Sequence, residues 1–216
     1  MLVVAIEILL LAMALGISLA LRPWRLLHGN AASGLTTPIL ATLAVLPFVW
    51  AVPFNAQVPF SLSASGACLV VLTVGWPLAV PLLTAVGLLV WQLGALPFAE
   101  VLAMTVWLGI VPATLALCVG YALRRWLGTH PLAYLAGRAY FGTMACSFAG
   151  ALLAYGLHGS AGLVPTSTEV LAIWLMAVGE ASVTAGIVVL LVACLPQALA
   201  TWSDRLYFKV AARPVR

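Results

Sequence analysis

The stretch Glu169–Leu195 reads EVLAIWLMAVGEASVTAGIVVLLVACL, and between its ends it carries a single charge, Glu180. A helix crosses the hydrocarbon core of a bilayer with about 20 apolar residues, so this segment is long enough to span. The same pattern recurs in both directions. Charged residues make up 6% of the 216-residue chain and hydrophobic residues 65%, and from Arg25 to Arg124 the only charge between is Glu100. A soluble domain carries about 25% charged residues. Water cannot solvate this chain, which therefore reads as an all-α, polytopic membrane helical bundle, one integral membrane domain over residues 1–216.

Breaks between apolar runs divide the chain into about seven transmembrane helices. The first run, Leu2 to Leu21, ends at Arg22-Pro23-Trp24-Arg25 and is followed by a polar loop with His28, Asn30 and Ser33. The basic residues follow the run instead of preceding it, which fits a retained span better than a cleaved signal. The second run starts near Thr37-Pro38, with proline in the first turn, and ends near Val52-Pro53, before a turn with Asn55, Gln57 and Pro59. The third, Ser61 to Gly75, is short and rich in small residues, which places it inside the bundle. Pro77 to Leu93 is the fourth, Ala99 to Tyr121 the fifth and Pro131 to Leu157 the sixth; the seventh is the opening stretch, ended by Pro196.

The charges orient these spans. Arg22, Arg25, Arg124, Arg125 and the tail with Arg205, Lys209, Arg213 and Arg216 follow odd-numbered spans, whereas the loops after even-numbered spans hold no Arg or Lys. Basic residues mark cytoplasmic ends, so the expected arrangement is N-terminus outside and C-terminus cytoplasmic. Merging the third and fourth runs would put Arg124-Arg125 on the side opposite Arg22. The small net charge of +4 is a topology signal and implies no nucleic acid.

Glu180 is the group that demands an explanation, because a charge at the bilayer centre costs at least about 2.5 kcal/mol. It can pair with an interhelical partner, with Arg138 the natural candidate, or serve directly in transport. Arg138 lies near the start of the sixth span and can also snorkel to the cytoplasmic side. Glu100 and Glu169 sit at helix starts, where carboxylates are favoured, and Glu7 reads as interfacial. Cys68, Cys118, Cys146 and Cys194 lie in apolar runs with no C-x-x-C pair and read as small buried hydrophobes. His28 and His130 fall on the cytoplasmic side and His158 outside, so they form no common site. No phosphate-binding loop, H-E-x-x-H or nucleophile constellation is present; the chain reads as no enzyme, with no catalytic residue and no bound cofactor.

Two stretches carry a family resemblance. One runs from Ser61 through Ser63, Ser65, Gly66, Trp76-Pro77 and Pro81 to Thr84, followed by Trp91-Gln92. The other joins Gly179-Glu180, Thr184-Ala185-Gly186, Pro196-Gln197 and Trp202-Ser203-Asp204-Arg205-Leu206-Tyr207. Together they resemble the cobalt/nickel permease (CbiM-like) family of energy-coupling-factor transporters, in a divergent bacterial branch, over about residues 38–207. The resemblance implies a seven-helix substrate-binding subunit in the bacterial cytoplasmic (inner) membrane. Its substrate would be a divalent transition-metal ion, and its partners the lipid bilayer, a transmembrane coupling protein and cytoplasmic ATPase subunits. The family's typical members begin with a Met-His stretch and hold a His three positions before the glycine of the small-residue helix. Here the chain begins Met1-Leu2, and Ser63 stands before Gly66. Nickel and cobalt favour nitrogen donors, so the metal ligands are open. The candidate buried polar residues are Glu180, Arg138, Ser63 and Ser65. The other function that fits is a non-transporting protein that keeps the fold as an assembly or scaffold factor.

Overall fold

The computed structural model describes residues 2–24, 32–55, 63–94, 96–128, 130–158 and 166–202; the side chains of residues 32, 33, 52–55 and 158 are not described. The described residues are helical, without strands. We number the helices α1 (Leu2–Ala20), α2 (Ala32–Asn55), α3 (Ala67–Val74), α4 (Trp76–Gln92), α5 (Phe98–Leu127), α6 (Ala133–Leu157) and α7 (Ser167–Cys194). A 3-10 turn, Pro196–Ala198, follows α7. His28, Asn30, Gln57, Pro59, Ser61, Arg25 and the charged tail from Asp204 onward lie outside the described residues.

The bundle is turned inside out relative to a protein in water. Glu7, Ser18, Ser65, Thr105, Thr143 and Thr184 are buried, while Leu9, Ile17, Phe48, Leu153, Trp174 and Leu190 are exposed. Helix α7 shows the logic. Its buried residues Ile173, Ala177, Ala181, Thr184 and Val188 recur at helical spacing on one face, and its exposed surface carries Leu171, Leu175 and Val183. Large apolar groups on the outside and small or polar groups inside make sense only in lipid. Five helices, α1, α2, α5, α6 and α7, are long and apolar enough to cross a membrane. This is a membrane protein.

Several expected boundaries moved, and α5, expected to end at Tyr121, runs on through Arg124 and Arg125 to Leu127. Helix α2 begins at Ala32, six positions before Pro38, so this proline sits inside the helix, and Thr42 Oγ1 donates to its carbonyl at 2.7 Å. The third run is helical only over Ala67–Val74; Ser63–Gly66 are not helical. The reason is local. Gly66 has φ +66°, a left-handed conformation that glycine adopts without steric cost, and Gly75 at φ +81° ends the helix and turns the chain into α4.

Short as it is, α3 is the centre of the molecule. Its residues Ala67, Cys68 and Val70–Val74 are buried, and it packs against α2, α4, α5, α6 and α7. Eight residues rise only about 12 Å, well short of the roughly 30 Å hydrocarbon core. Its C-terminal carbonyls are met by the segment after α7: Ala200 N–H donates to Thr73 O at 2.8 Å and Thr201 Oγ1 to Leu72 O at 2.8 Å.

Further contacts define that end of the bundle. Ser18 Oγ, late in α1, donates to Pro77 O at 2.7 Å. The Tyr134 and Thr201 hydroxyls bond at 2.8 Å, and the Tyr134 and Trp202 rings meet edge to face at 4.9 Å. Gly34, at the start of α2, abuts the Gln197 carbonyl.

Candidate functional site

Glu180 lies halfway along α7. Its carboxylate does not pair with Arg138. One oxygen accepts from Ser65 N–H at 3.0 Å and the other from Gly66 N–H at 2.9 Å. These donors stand at the N-terminus of α3, where a helix exposes unsatisfied N–H groups and the positive end of its dipole. The carboxylate of one helix thus caps another from the side. Because α3 starts beside the midpoint of α7 and ends beyond its C-terminus, its opening residues lie deep in the bundle. Backbone without helical bonding is tolerated at such depth only where protein groups satisfy it, and here Glu180 does so.

Ser65 completes the junction. Its Oγ donates to Leu108 O at 2.6 Å and accepts from Ala67 N–H at 3.1 Å, and its carbonyl accepts from Trp50 Nε1 at 3.0 Å. The Leu108 carbonyl is available for a sequence reason. In α-helical register its partner would be the N–H of residue 112, which is proline and has none. The helix widens into a π turn over Thr105–Ile110 at this point, a distortion common at functional sites.

Ser63 is also brought to the junction. Ser63, Ser65, Ser147 and Glu180 line a cavity of about 20 Å³ together with Trp107, Leu108, Pro112 and Met176. The Ser63 hydroxyl is buried and has no hydrogen-bond partner among the described residues. Ser147 faces the Glu180 carboxylate from α6. Cys68, on the first turn of α3, donates weakly to Pro112 O at 3.9 Å and lies beside Cys146 of α6.

Arg138 belongs to a different place. It lines a small cavity with Gly120, Leu123, Arg124 and Tyr134 near the α5–α6 connection. Its guanidinium carbon is 5.9 Å from the Tyr134 ring centroid, within cation–π range. The bare Cα of Gly120 makes the room, since a Cβ there would sit 2.7 Å from Arg138 Nε. Of the four candidate residues, the structure joins Glu180, Ser63 and Ser65 and separates Arg138.

Other groups also differ from expectation. Glu7, near the start of α1, is fully buried inside the bundle and accepts from Trp107 Nε1 at 2.9 Å. Trp107 lines the Glu180 cavity, so α1 supports the site through it. Cys68 and Cys146 are buried as expected, but Cys118 and Cys194 are exposed. Ser147 was not singled out by sequence; the signal available was its place beside Cys146 on a face that recurs through Thr143 and Gly150. Glu169 fills its expected role, closing a capping box with Thr166 at the start of α7. His130 is exposed. No three His, Cys, Asp or Glu side chains among the described residues stand close enough to share a metal ion.

The fold and the site define a polytopic helical membrane protein with a short central helix whose start is held by a buried carboxylate. Compared with protein-family models, curated proteins and solved structures, the chain matches none.

Proposed function

We propose that this chain is the membrane-embedded permease, the substrate-binding subunit, of an energy-coupling-factor type transporter in the bacterial cytoplasmic membrane. Its cargo is a cation of the divalent transition-metal class, and its partners are a transmembrane coupling protein and cytoplasmic ATPases. The observation that carries this reading is the short helix α3: its N-terminus, deep in the bundle, meets the Glu180 carboxylate through Ser65 and Gly66 N–H. A continuous helix would satisfy its own backbone with no carboxylate at all. Discontinuous helices whose ends form polar sites near the bilayer midplane are a construction that membrane transporters use. On this reading the chain crosses the membrane seven times, with the N-terminus outside.

The reading is tested by metal titration of the purified protein in lipid nanodiscs, comparing wild type with Glu180→Gln. The expected result is stoichiometric binding of Co²⁺ or Ni²⁺; weakening in the variant would put the metal at Glu180, and unchanged binding would put it elsewhere in the bundle. Absence of stoichiometric Co²⁺, Ni²⁺ and Cu²⁺ binding overturns the metal-carrier reading.

One observation favours the second reading, a non-transporting assembly or scaffold factor. An apolar groove of about 390 Å³ runs between α2, α3 and α7, lined by Pro38, Val45, Leu69, Ile187 and Leu191 among others. A co-purifying membrane partner without metal binding would support it.

A further inference from the structure

Two buried hydroxyls and a buried carboxylate converge on one small space, and helix capping uses only part of what they offer. Each Glu180 oxygen accepts one backbone N–H, from Ser65 at 3.0 Å or Gly66 at 2.9 Å. A carboxylate oxygen has two acceptor positions, so one on each remains. Ser63 and Ser147 are each 8% exposed and line the same cavity; the Ser63 hydroxyl has no partner among the described residues, and the Ser147 hydroxyl is turned toward Glu180 and Cys68. Buried polar groups left in this condition are costly and call for an occupant. The cavity measures about 20 Å³, and a site needs about 10–15 Å³ to admit one water-sized species.

The donor chemistry selects among occupants of that size. All the free donors are oxygens: carboxylate from α7, hydroxyl from α6, and hydroxyl from the segment leading into α3. Such a set suits hard cations and is poor for transition metals, which prefer nitrogen or sulfur. Charge argues for a single positive unit. The α3 dipole offsets about half a charge, and the rest of the carboxylate's charge stands deep in an apolar bundle. A monovalent ion leaves about half a unit of charge, whereas a divalent ion would leave about one and a half units of buried excess. Magnesium retains several waters, for which the cavity has no room, and a cavity of about 20 Å³ favours sodium over the larger potassium ion.

We propose that Glu180, Ser63 and Ser147 bind one desolvated sodium ion, locking the α3 N-terminus between α6 and α7. This site does not rest on the transport reading; it would stand in a scaffold protein as well. In a transporter it would place a coupling ion at the start of α3.

The test is thermal unfolding of the purified protein in nanodiscs, titrated with NaCl against choline chloride and KCl at constant ionic strength. The expected result is a saturable rise in Tm with Na⁺ that choline and K⁺ do not reproduce. Ser63→Ala and Ser147→Ala, which leave the capping bonds intact, should each raise the Na⁺ midpoint by about tenfold, the scale of one lost polar contact. Identical Tm curves in Na⁺ and choline overturn the proposal and leave the cavity to a water molecule. Wild-type Na⁺ dependence in both serine variants overturns the assigned ligands. A Na⁺ response without transition-metal binding would defeat the metal-carrier reading while keeping this site.

Discussion

At the scale of the residue, Glu180 decides whether the central helix can begin where it does. Its two oxygens hold two N–H groups, from Ser65 and Gly66, in the non-helical backbone that leads into α3. Leaving one buried donor unsatisfied costs about 1–3 kcal/mol. Glu180→Gln keeps one acceptor oxygen and turns an amide N–H₂ toward the other donor, so it should destabilise by about 1–3 kcal/mol. Glu180→Ala orphans both donors and should cost more than Gln. Denaturant unfolding in mixed micelles gives the order; an Ala variant as stable as wild type would mean the capping bonds contribute nothing. Sequence alone marked Glu180 as a group needing a partner, because a mid-span carboxylate stands out among apolar neighbours. It did not reveal the partner. The donors are backbone N–H groups, exposed by the left-handed turn at Gly66, and backbone donors have no side-chain signature. The search for an opposite charge led instead to Arg138, which sits against Gly120 and Tyr134.

Between elements, close approach is set by where a side chain is missing. Gly150 of α6 faces α5 at its distorted region: a Cβ there would lie 2.9 Å from Pro112 Cγ and 3.3 Å from Trp107 O. Gly179, one position before the buried carboxylate, has nothing within 4 Å of the same construction. Gly150→Ala should therefore destabilise by about 1–3 kcal/mol, the usual cost of overpacking. Gly179→Ala should be neutral or slightly stabilising, since alanine favours helix. Thermal unfolding of the two variants side by side checks this, and equal Tm values would contradict the packing. The long helices were legible because a run such as Glu169–Leu195 has the length and composition of a span. The short third element was harder. Its small residues announced a central position, and α3 is central, but they did not announce that Ser63–Gly66 would leave the helix.

Across the whole molecule, charge is sorted by end. Arg22 follows α1, Arg124 and Arg125 end α5, and Arg138 lies early in α6. Contacts between Ser18 and Pro77, Tyr134 and Thr201, and Thr73 and Ala200 bring the C-terminal ends of α1, α3 and α7 together with the starts of α4 and α6. Glu7, Glu100 and Glu169 lie toward the opposite helix ends, at the starts of α1, α5 and α7. If basic residues stay on the cytoplasmic side, the end with Arg124 faces the cytoplasm. Ser167, at the start of α7, and His130, at the α5–α6 connection, are both described and exposed. In a background with the four native cysteines replaced by alanine, Ser167→Cys should react with a membrane-impermeant maleimide on intact spheroplasts. His130→Cys should react only in inverted vesicles. The reverse pattern would invert the bundle. Labelling of both from one face would break the alternation that the contacts between helix ends require, because α5 ends and α6 begins at the end where Thr201 meets Tyr134, while α7 begins at the other.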